Sequence, residues 1–414
     1  MTSAAPNLHH PDSRYAWMRL IASLAVGTLA CAGMWTVVVV ISTVQAEFGT
    51  ERAGASLPYT LMMVGFACGT IGVGRLADRY GMVVPVLLSG VLLAAGYVVA
   101  GLAPSLSVFA LAHGLLIGPG SAAGFAPLMA DLSHWFVKRR GVAVTIAACG
   151  SYFAGVLWPL VMNATIPAYG WRATHIGIGI AILVVMLPLA LAFRARVSHE
   201  TLAAAESATV AARADLGVSP NTLQVLLTVA GFACCMAMAM PQVHIVAYCG
   251  DLGYGVARGA EMLSLMLGLG IFSRVASGFL ADKVGGAATL ALGSLMQGVA
   301  LTLYLFFNGL ESLYVISAIF GLFQGGIVPM YAVITREFLP PREAGLRIGV
   351  IITSTIIGMA VGGYVTGVIF DYTASYRVAF MHGILWNLVN LALACWLVLR
   401  QRQARALKSR AFAA

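Results

Sequence analysis

Charged side chains are scarce in this chain. Only 9% of its 414 residues are Asp, Glu, Lys or Arg, whereas a soluble globular protein carries roughly 25%. So few charges cannot cover a water-exposed surface, which excludes soluble enzymes, nucleic-acid-binding domains and disordered proteins. The net charge of +9 does not indicate a nucleic-acid partner, because the basic residues lie near the ends of apolar runs.

Motifs for metal binding and catalysis are also missing from the sequence. The seven cysteines lie in apolar stretches without the spacing of metal ligands or of a disulfide framework. There are no paired carboxylates, no HExxH or GxSxG motif, and no phosphate-binding loop followed by Lys and Ser or Thr. We therefore predict that the protein is not an enzyme and holds neither a metal nor another cofactor.

Apolar residues dominate instead: 60% of the chain is hydrophobic and the mean hydropathy is +0.91. A helix needs about 20 apolar residues to cross roughly 30 Å of hydrocarbon. By this measure the sequence predicts an all-α membrane protein with twelve transmembrane helices. The predicted spans are 17–46, 55–76, 82–103, 106–135, 141–166, 173–195, 222–249, 258–281, 286–308, 312–338, 346–370 and 377–400.

The longest polar stretch, residues 197–220, follows the sixth span. It divides the chain into an N-terminal half, residues 1–196, and a C-terminal half, residues 221–414, with six helices each. Its alanines and charges favour a tether over a folded domain, and a regulatory role is the alternative. Most of the 24 Lys and Arg residues lie in loops on the same side as this linker, which predicts that it is cytoplasmic.

The two halves contain a repeat. Residues 74–81, with the sequence GRLADRYG, recur 204 residues later as GFLADKVG at 278–285, and Gly141 corresponds in the same way to Gly345. At these motifs the sequence resembles the major facilitator superfamily, whose most specific signature is the G-x-L-A-D-R-x-G loop between spans two and three. The resemblance implies two six-helix halves that rock around a substrate site near the midplane.

The repeated motif contains a predicted conformational latch, formed by Asp78 and Arg79 in the first copy and by Asp282 in the second. A carboxylate at the cytoplasmic end of a span can accept hydrogen bonds from backbone donors and pair with a nearby arginine. A static loop staple is the alternative. The first copy departs from the family pattern because Met82, and not a basic residue, follows Gly81.

A narrower resemblance involves residues 135–143, with the sequence WFVKRRGVA. It is similar to the motif that opens span five in the monocarboxylate transporter and oxalate–formate exchanger branch. In the monocarboxylate branch an arginine near the position of Arg274 binds the substrate carboxylate, so the resemblance implies that role here. Eukaryotic relatives often place an Asp one turn earlier as a proton-handling partner, whereas this chain has Gly270.

Arg274 is also the only basic residue that lies well inside a predicted span. An arginine in the membrane costs at least about 2.5 kcal/mol, so it should face a cavity or a partner. Its planar guanidinium matches a carboxylate. The oxalate exchangers that the chain resembles add a second cation in span eleven, whereas residues 354–366 here contain no Lys or Arg, so the comparison favours a monoanion. Snorkelling to the cytosol and a structural ion pair are the alternatives.

The remaining candidates are predicted either to bind the substrate or to carry protons. For each of them, a purely structural role is the alternative. Asp131 can simply pair with the basic cluster at 138–140, and Glu261 lies 13 residues before Arg274, about 20 Å along a helix. The further substrate-binding candidates are Trp35, Tyr152, Gln324 and Tyr331. The proton-coupling candidates are His244, Asp131 and Glu261.

Together these features predict a multi-pass secondary transporter of small monocarboxylates in a bacterial-type cytoplasmic (inner) membrane, coupled to protons and working by alternating access. Its expected partners are a small organic monoanion, protons and, through the basic tail from Arg400 to Arg410, anionic membrane lipids. An exporter or exchanger of another organic anion or drug is the alternative. Exporters often carry G-x-x-x-G-P in span five, which the spacing of Gly150, Gly155 and Pro159 does not match.

The loop charges predict that both termini are cytoplasmic. The loops on the opposite side hold only Arg52, Arg172, Arg258 and Arg377, and basic residues concentrate in cytoplasmic loops. A green fluorescent protein fused after Ala414 should therefore fluoresce, and alkaline phosphatase at the same point should be inactive. An active phosphatase fusion would contradict the orientation.

Overall fold

The computed structural model describes residues 10–50, 52–197, 199–214 and 216–413, and these residues form helices joined by short turns, without a strand. The α-helices are α1 (Arg14–Ala30), α2 (Ala32–Glu47), α3 (Arg52–Tyr80), α4 (Val83–Gly101), α5 (Leu106–Ala112), α6 (Gly118–Ser121), α7 (Ala126–Trp135), α8 (Arg140–Ala148), α9 (Gly150–Ala190), α10 (His199–Ala214), α11 (Pro220–Asp251), α12 (Val256–Val284), α13 (Gly286–Phe306), α14 (Leu310–Gln324), α15 (Ile327–Phe338), α16 (Ala344–Thr373) and α17 (Tyr376–Ala413).

Among the described residues, 11 stretches are long and apolar enough to cross a membrane. One of them, Arg140–Phe193, has 54 residues, which is about 80 Å of helix against roughly 30 Å of hydrocarbon. Within it, α9 is broken at Gly170, whose φ of 76° and ψ of 162° are values that glycine adopts readily. This stretch therefore provides two spans, and the prediction of an all-α fold with twelve transmembrane helices is confirmed.

The chain packs into two compact units. Unit 1 comprises Met1–Lys138, Ile146–Leu202 and Arg342–Val350, and unit 2 comprises Arg139–Thr145, Ala203–Pro341 and Ile351–Ala414. Each unit thus contains one predicted half together with the first residues of a span from the other. The predicted linker 197–220 contains α10, most of which belongs to unit 2, whereas its residues Ser198 and Asp215 lie outside the described ranges.

The fourth span, in unit 1, is irregular. Between α5 and α7 the chain forms a π-helical turn at His113–Ile117, the short α6 and a 3-10 turn at Ala122–Gly124. Pro119 cannot donate a backbone hydrogen bond and so disfavours a regular helix. A Cβ atom at Gly118 would lie 2.5 Å from the carbonyl oxygen of Met62 in α3, so this approach of spans two and four requires glycine.

Polar contacts fix the corner that follows Gly170. The Glu47 carboxylate accepts hydrogen bonds from Trp171 Nε1 and Arg172 Nη2, both at 2.6 Å. The Arg172 Nη1 atom donates to the carbonyl oxygens of Gly101 and Ala103, at 3.1 and 2.8 Å. The hydrogen bond from Arg172 lowers the pKa of Glu47, so this carboxylate stays charged and holds the start of span six against the ends of α2 and α4.

A buried ion pair joins α1 to α7 within unit 1. The Nε and Nη2 atoms of Arg19 donate to the two carboxylate oxygens of Asp131, each at 2.7 Å, and the two side chains are only 2% and 13% exposed. The guanidinium also lies 4.9 Å from the ring centres of Trp135 and Phe193. The sequence favoured the cluster at 138–140 as the partner of Asp131, but in the structure its partner is Arg19, which lies near the start of the predicted span 17–46.

Removing one member of this pair should destabilise the protein. Asp131→Ala leaves the Arg19 guanidinium buried without its counter-charge, a change that costs about 3–5 kcal/mol for a buried pair. We expect a clearly lower unfolding temperature for the purified protein in detergent. Glu343→Ala, which removes the half-exposed partner of Arg347, is the matched control and should cost less than about 1 kcal/mol. Equal stability of the two variants would contradict this account.

Candidate substrate site

The Arg274 side chain is buried in unit 2, where it is 6% exposed. Its Nε atom donates to the carbonyl oxygen of Gly325 at 3.0 Å. This oxygen has no helical donor of its own, because the residue four positions later is Pro329, which has no N–H group. The break between α14 and α15 therefore supplies the acceptor that an arginine inside a span requires.

Small residues allow α12 to approach this break closely. A Cβ atom at Gly325 would lie 2.7 Å from the Cα atom of Gly270, and one at Gly326 would clash with the Ser277 side chain. The Ser273 hydroxyl accepts a hydrogen bond from the Gly326 N–H group at 3.2 Å. Larger side chains at these glycines would push α12 away from the break, and Arg274 would lose its contact with Gly325.

Two glutamine side chains lie at the same break. Gln324, the last residue of α14, is 2% exposed. Its Oε1 atom accepts a hydrogen bond of 2.9 Å from Nε2 of Gln242 in α11. Its own Nε2 atom is buried and has no hydrogen-bond partner among the described residues. The predicted residues Arg274 and Gln324 thus both lie at this helix break, Arg274 through its bond to Gly325 and Gln324 as the residue before it. Gln242, which the sequence did not indicate, is the hydrogen-bond partner of Gln324.

The other substrate-binding candidates contact groups other than Arg274. The Tyr331 hydroxyl in unit 2 is buried; it donates to Asn390 Oδ1 at 2.8 Å and lies 3.0 Å from the Ala230 carbonyl oxygen. In unit 1, Trp35 Nε1 donates to the Ser151 carbonyl oxygen at 3.0 Å, and Tyr152, the next residue along the chain, is half-buried.

The three proton-coupling candidates each contact a group other than Arg274. His244 Nε2 lies 2.9 Å from the Gly363 carbonyl oxygen, and Asp131 is paired with Arg19 in unit 1. Glu261 forms an exposed pair with Arg258 at 3.0 Å and accepts a hydrogen bond from Tyr314. A carbonyl oxygen can only accept, so His244 Nε2 carries its hydrogen and Nδ1 is the basic nitrogen of the neutral ring.

The two aspartates of the predicted latch cap helices. Within unit 1, the Asp78 carboxylate accepts from the backbone N–H groups of Gly345 and Leu346, both at 2.8 Å. Within unit 2, Asp282 accepts from Gly141 at 2.6 Å and from Val142 at 3.1 Å. These are N–H groups of the first turns of α16 and α8, which have no acceptor inside their helices and favour a negative charge.

The glycines of the repeated motif make both caps possible. A Cβ atom at Gly345 would lie 2.5 Å from the Gly74 carbonyl oxygen, and one at Gly141 would lie 2.5 Å from that of Gly278. The same arrangement therefore occurs twice, with every member displaced by 204 residues. Arg79, the third predicted member of the latch, lies over the Tyr80 ring, 5.3 Å from its centre.

Known proteins share this architecture. The family model described as Major Facilitator Superfamily matches residues 24–311 and 262–413. The rat protein named Monocarboxylate transporter 13 is 28% identical over 386 residues, covering 89% of this chain and 86% of that protein. The Agnestins efflux protein AgnL12 of Paecilomyces divaricatus is 24% identical over 304 residues, covering 73% of this chain and 68% of that protein.

Among solved structures, the E. coli fucose:proton symporter FucP has a TM-score of 0.70 and 13% identity, covering 92% of this chain and 98% of that one. At this identity the likeness shows the fold alone. The family model covers most of the chain and includes both copies of the repeated motif. The protein is therefore a multi-pass membrane transporter and not an enzyme, and it belongs to the Major Facilitator Superfamily.

Proposed function

We propose that the protein is a secondary transporter of small monocarboxylates, coupled to protons and working by alternating access in a bacterial-type cytoplasmic membrane. The observation that carries this proposal is the buried Arg274 guanidinium, held by the Gly325 carbonyl oxygen at the break between α14 and α15. The name of the rat relative, Monocarboxylate transporter 13, supports the same class of substrate.

The chemistry of the site favours a carboxylate. A guanidinium carries five N–H donors in one plane, and the bond from Arg274 Nε to the Gly325 carbonyl oxygen fixes the orientation of this plane. Planar, charge-assisted donors match a carboxylate better than they match a neutral solute. One cation at the site favours a monoanion, because a second carboxylate would be buried without a counter-charge.

His244 is the best proton carrier among the three candidates. Asp131 and Glu261 would have to give up an ion pair in order to take up a proton. His244 keeps its hydrogen bond to Gly363 through Nε2 and can accept a proton on Nδ1 without breaking an ion pair. Loss of pH-gradient-driven uptake in a His244→Gln variant that still binds substrate would support this assignment.

An exporter of organic acids or drugs is the second candidate, favoured by the similarity to the Agnestins efflux protein. Uptake of radiolabelled monocarboxylates into proteoliposomes, with and without an inward pH gradient, separates the two. Accumulation that requires the gradient and is competed by other monocarboxylates supports the proposal. Transport of large neutral compounds in the absence of acid transport would favour the exporter.

The role of Arg274 can be tested by binding measurements. Arg274→Gln should weaken carboxylic acid binding about 30- to several-thousand-fold, because a desolvated charge-assisted contact of this kind contributes about 2–5 kcal/mol. Arg274→Lys should recover only part of the affinity, since a point charge lacks the two-pronged geometry. The measurement is titration of the purified, monodisperse protein with acids and their matched primary amides.

Amides serve as the internal control in this experiment. They should bind wild-type protein weakly, and the Arg274 substitutions should change their affinity little. Near-normal acid binding by Arg274→Gln would contradict the proposed contact. Unfolding of both Arg274 variants would assign the residue to structure instead.

Asp78→Asn should slow turnover more than it weakens substrate binding. The Asp78 carboxylate caps α16 and does not belong to the Arg274 site, so neutralising it changes the balance between conformations without touching the substrate. The measurement compares initial uptake rates with equilibrium binding. Glu343→Gln, a neutralised carboxylate one residue before α16 that is paired with Arg347, is the control. An equal loss of rate and affinity would count against a latch.

A further inference from the structure

We propose that Gln324 is a second donor to the substrate carboxylate that Arg274 binds, and that Gln242 is the positioning residue that fixes the Gln324 amide. This inference rests on the proposed function. It assigns to the site one residue that the sequence did not indicate, Gln242, and it gives Gln324 a defined chemical role.

The orientation of the Gln324 amide is set by its neighbour. Gln242 Nε2 donates to Gln324 Oε1 at 2.9 Å, which turns the Gln324 Nε2 atom away from Gln242. That atom carries two N–H donors, is buried, and has no acceptor among the described residues. An amide nitrogen removed from water without an acceptor is costly, so the site favours a ligand that brings an oxygen acceptor.

The acceptor this geometry favours is the anion at Arg274. Arg274 Nε is bonded to the carbonyl oxygen of Gly325, the residue next to Gln324, so the guanidinium and the amide are attached to the same helix break. Because Nε is already used, Arg274 cannot present its Nε–Nη2 edge to a carboxylate. A carboxylate has about four acceptor positions, and a second donor beside Arg274 would occupy one of them.

The internal repeat shows that the fold does not require this amide pair. The residue 204 positions before Gln324 is Gly120 in span four, and span one contains no Gln or Asn between Gly33 and Ile41. The corresponding helices of the first half therefore pack without such a pair of amides. In the second half Gln324 directly precedes Gly325, whose carbonyl oxygen accepts from the one arginine that the sequence places well inside a span. This position connects the amide pair with ligand binding.

The experiment uses full-length protein in lipid nanodiscs and measures affinities for acetate, propionate, butyrate and pyruvate and for their primary amides. Gln324→Leu should weaken binding of the acids about 10- to 100-fold, the range expected for a hydrogen bond to a charged group, and should change amide binding less. Gln297→Leu is the matched control. It replaces a buried glutamine of α13 that also has one unpartnered amide atom, and it should leave all affinities unchanged.

Two substitutions test the positioning role of Gln242. Gln242→Met removes the donor to Gln324 and should weaken acid binding less than Gln324→Leu does. Gln242→Glu introduces a group that only accepts, so Gln324 must turn its Nε2 atom toward it and present Oε1 to the anion. We expect the Gln242→Glu protein to bind the acids as weakly as the Gln324→Leu protein does, or more weakly. When Gln324→Leu is already present, adding Gln242→Glu should reduce acid affinity little further. If Gln242→Glu acted only by charge repulsion, it would reduce acid affinity equally in the wild-type and Gln324→Leu proteins.

The outcomes separate this inference from the proposed function. Wild-type protein that binds none of the acids overturns both. Wild-type protein that binds the acids, with Gln324→Leu indistinguishable from Gln297→Leu, overturns this inference alone. If Gln324→Leu is not monodisperse, Gln324→Met preserves the length of the side chain and provides the same comparison.

Discussion

An arginine inside a membrane span has to be given hydrogen-bond acceptors by the protein, because lipid offers none. Here the acceptor is the Gly325 carbonyl oxygen, which is available because Pro329 cannot donate to it. Glycines at 270 and 325 allow the two helices to meet. This hydrogen bond holds the Arg274 side chain at the break where α14 ends with Gln324, and the chemistry that we assign to the site depends on it.

The two copies of the repeat share their helix caps but differ in their intramembrane arginine. The capping of a helix N-terminus by an aspartate occurs in both copies, through Asp78 and through Asp282, with the same glycine contacts. Arg274 has no counterpart in the first copy: the residue 204 positions before it is Thr70, whose hydroxyl donates to the Phe66 carbonyl oxygen. The capping contacts are thus common to both copies, whereas the site that we propose for the ligand lies in the second copy.

The helices, the repeat and the intramembrane position of Arg274 could be identified from the sequence. They follow from the length of apolar runs, from the spacing of motifs and from an isolated charge, all of which can be read along a single chain. It could not supply the partners of those residues. Arg19 lies in a span by hydropathy but near its end, so only packing shows that it is buried against Asp131. Gln242 could not be predicted as a site residue, because a single glutamine in a span belongs to no motif. Only the structure shows that it contacts Gln324.

The boundaries of the two packed units could not be predicted from the sequence either. Hydropathy separates residues 1–196 from 221–414, whereas contacts assign 139–145 to unit 2 and 342–350 to unit 1. Both of these segments contain N–H groups that donate to a capping aspartate, at Gly141 and Gly345. The aspartates were recognised from their motif, but their partners lie more than 140 residues away in one case and more than 260 in the other, which no local pattern records.

The most direct test of the central claim is a distance between Arg274 and a bound acid. Solid-state NMR on protein labelled with ¹⁵N at the arginine guanidinium groups, with a ¹³C-carboxyl monocarboxylate bound in lipid, measures that distance through dipolar dephasing. The account predicts a nitrogen-to-carboxyl-carbon contact of about 4 Å in wild-type protein that is lost in Arg274→Lys. A bound acid whose carboxyl carbon shows no guanidinium contact, or one that keeps the contact in Arg274→Lys, would contradict it.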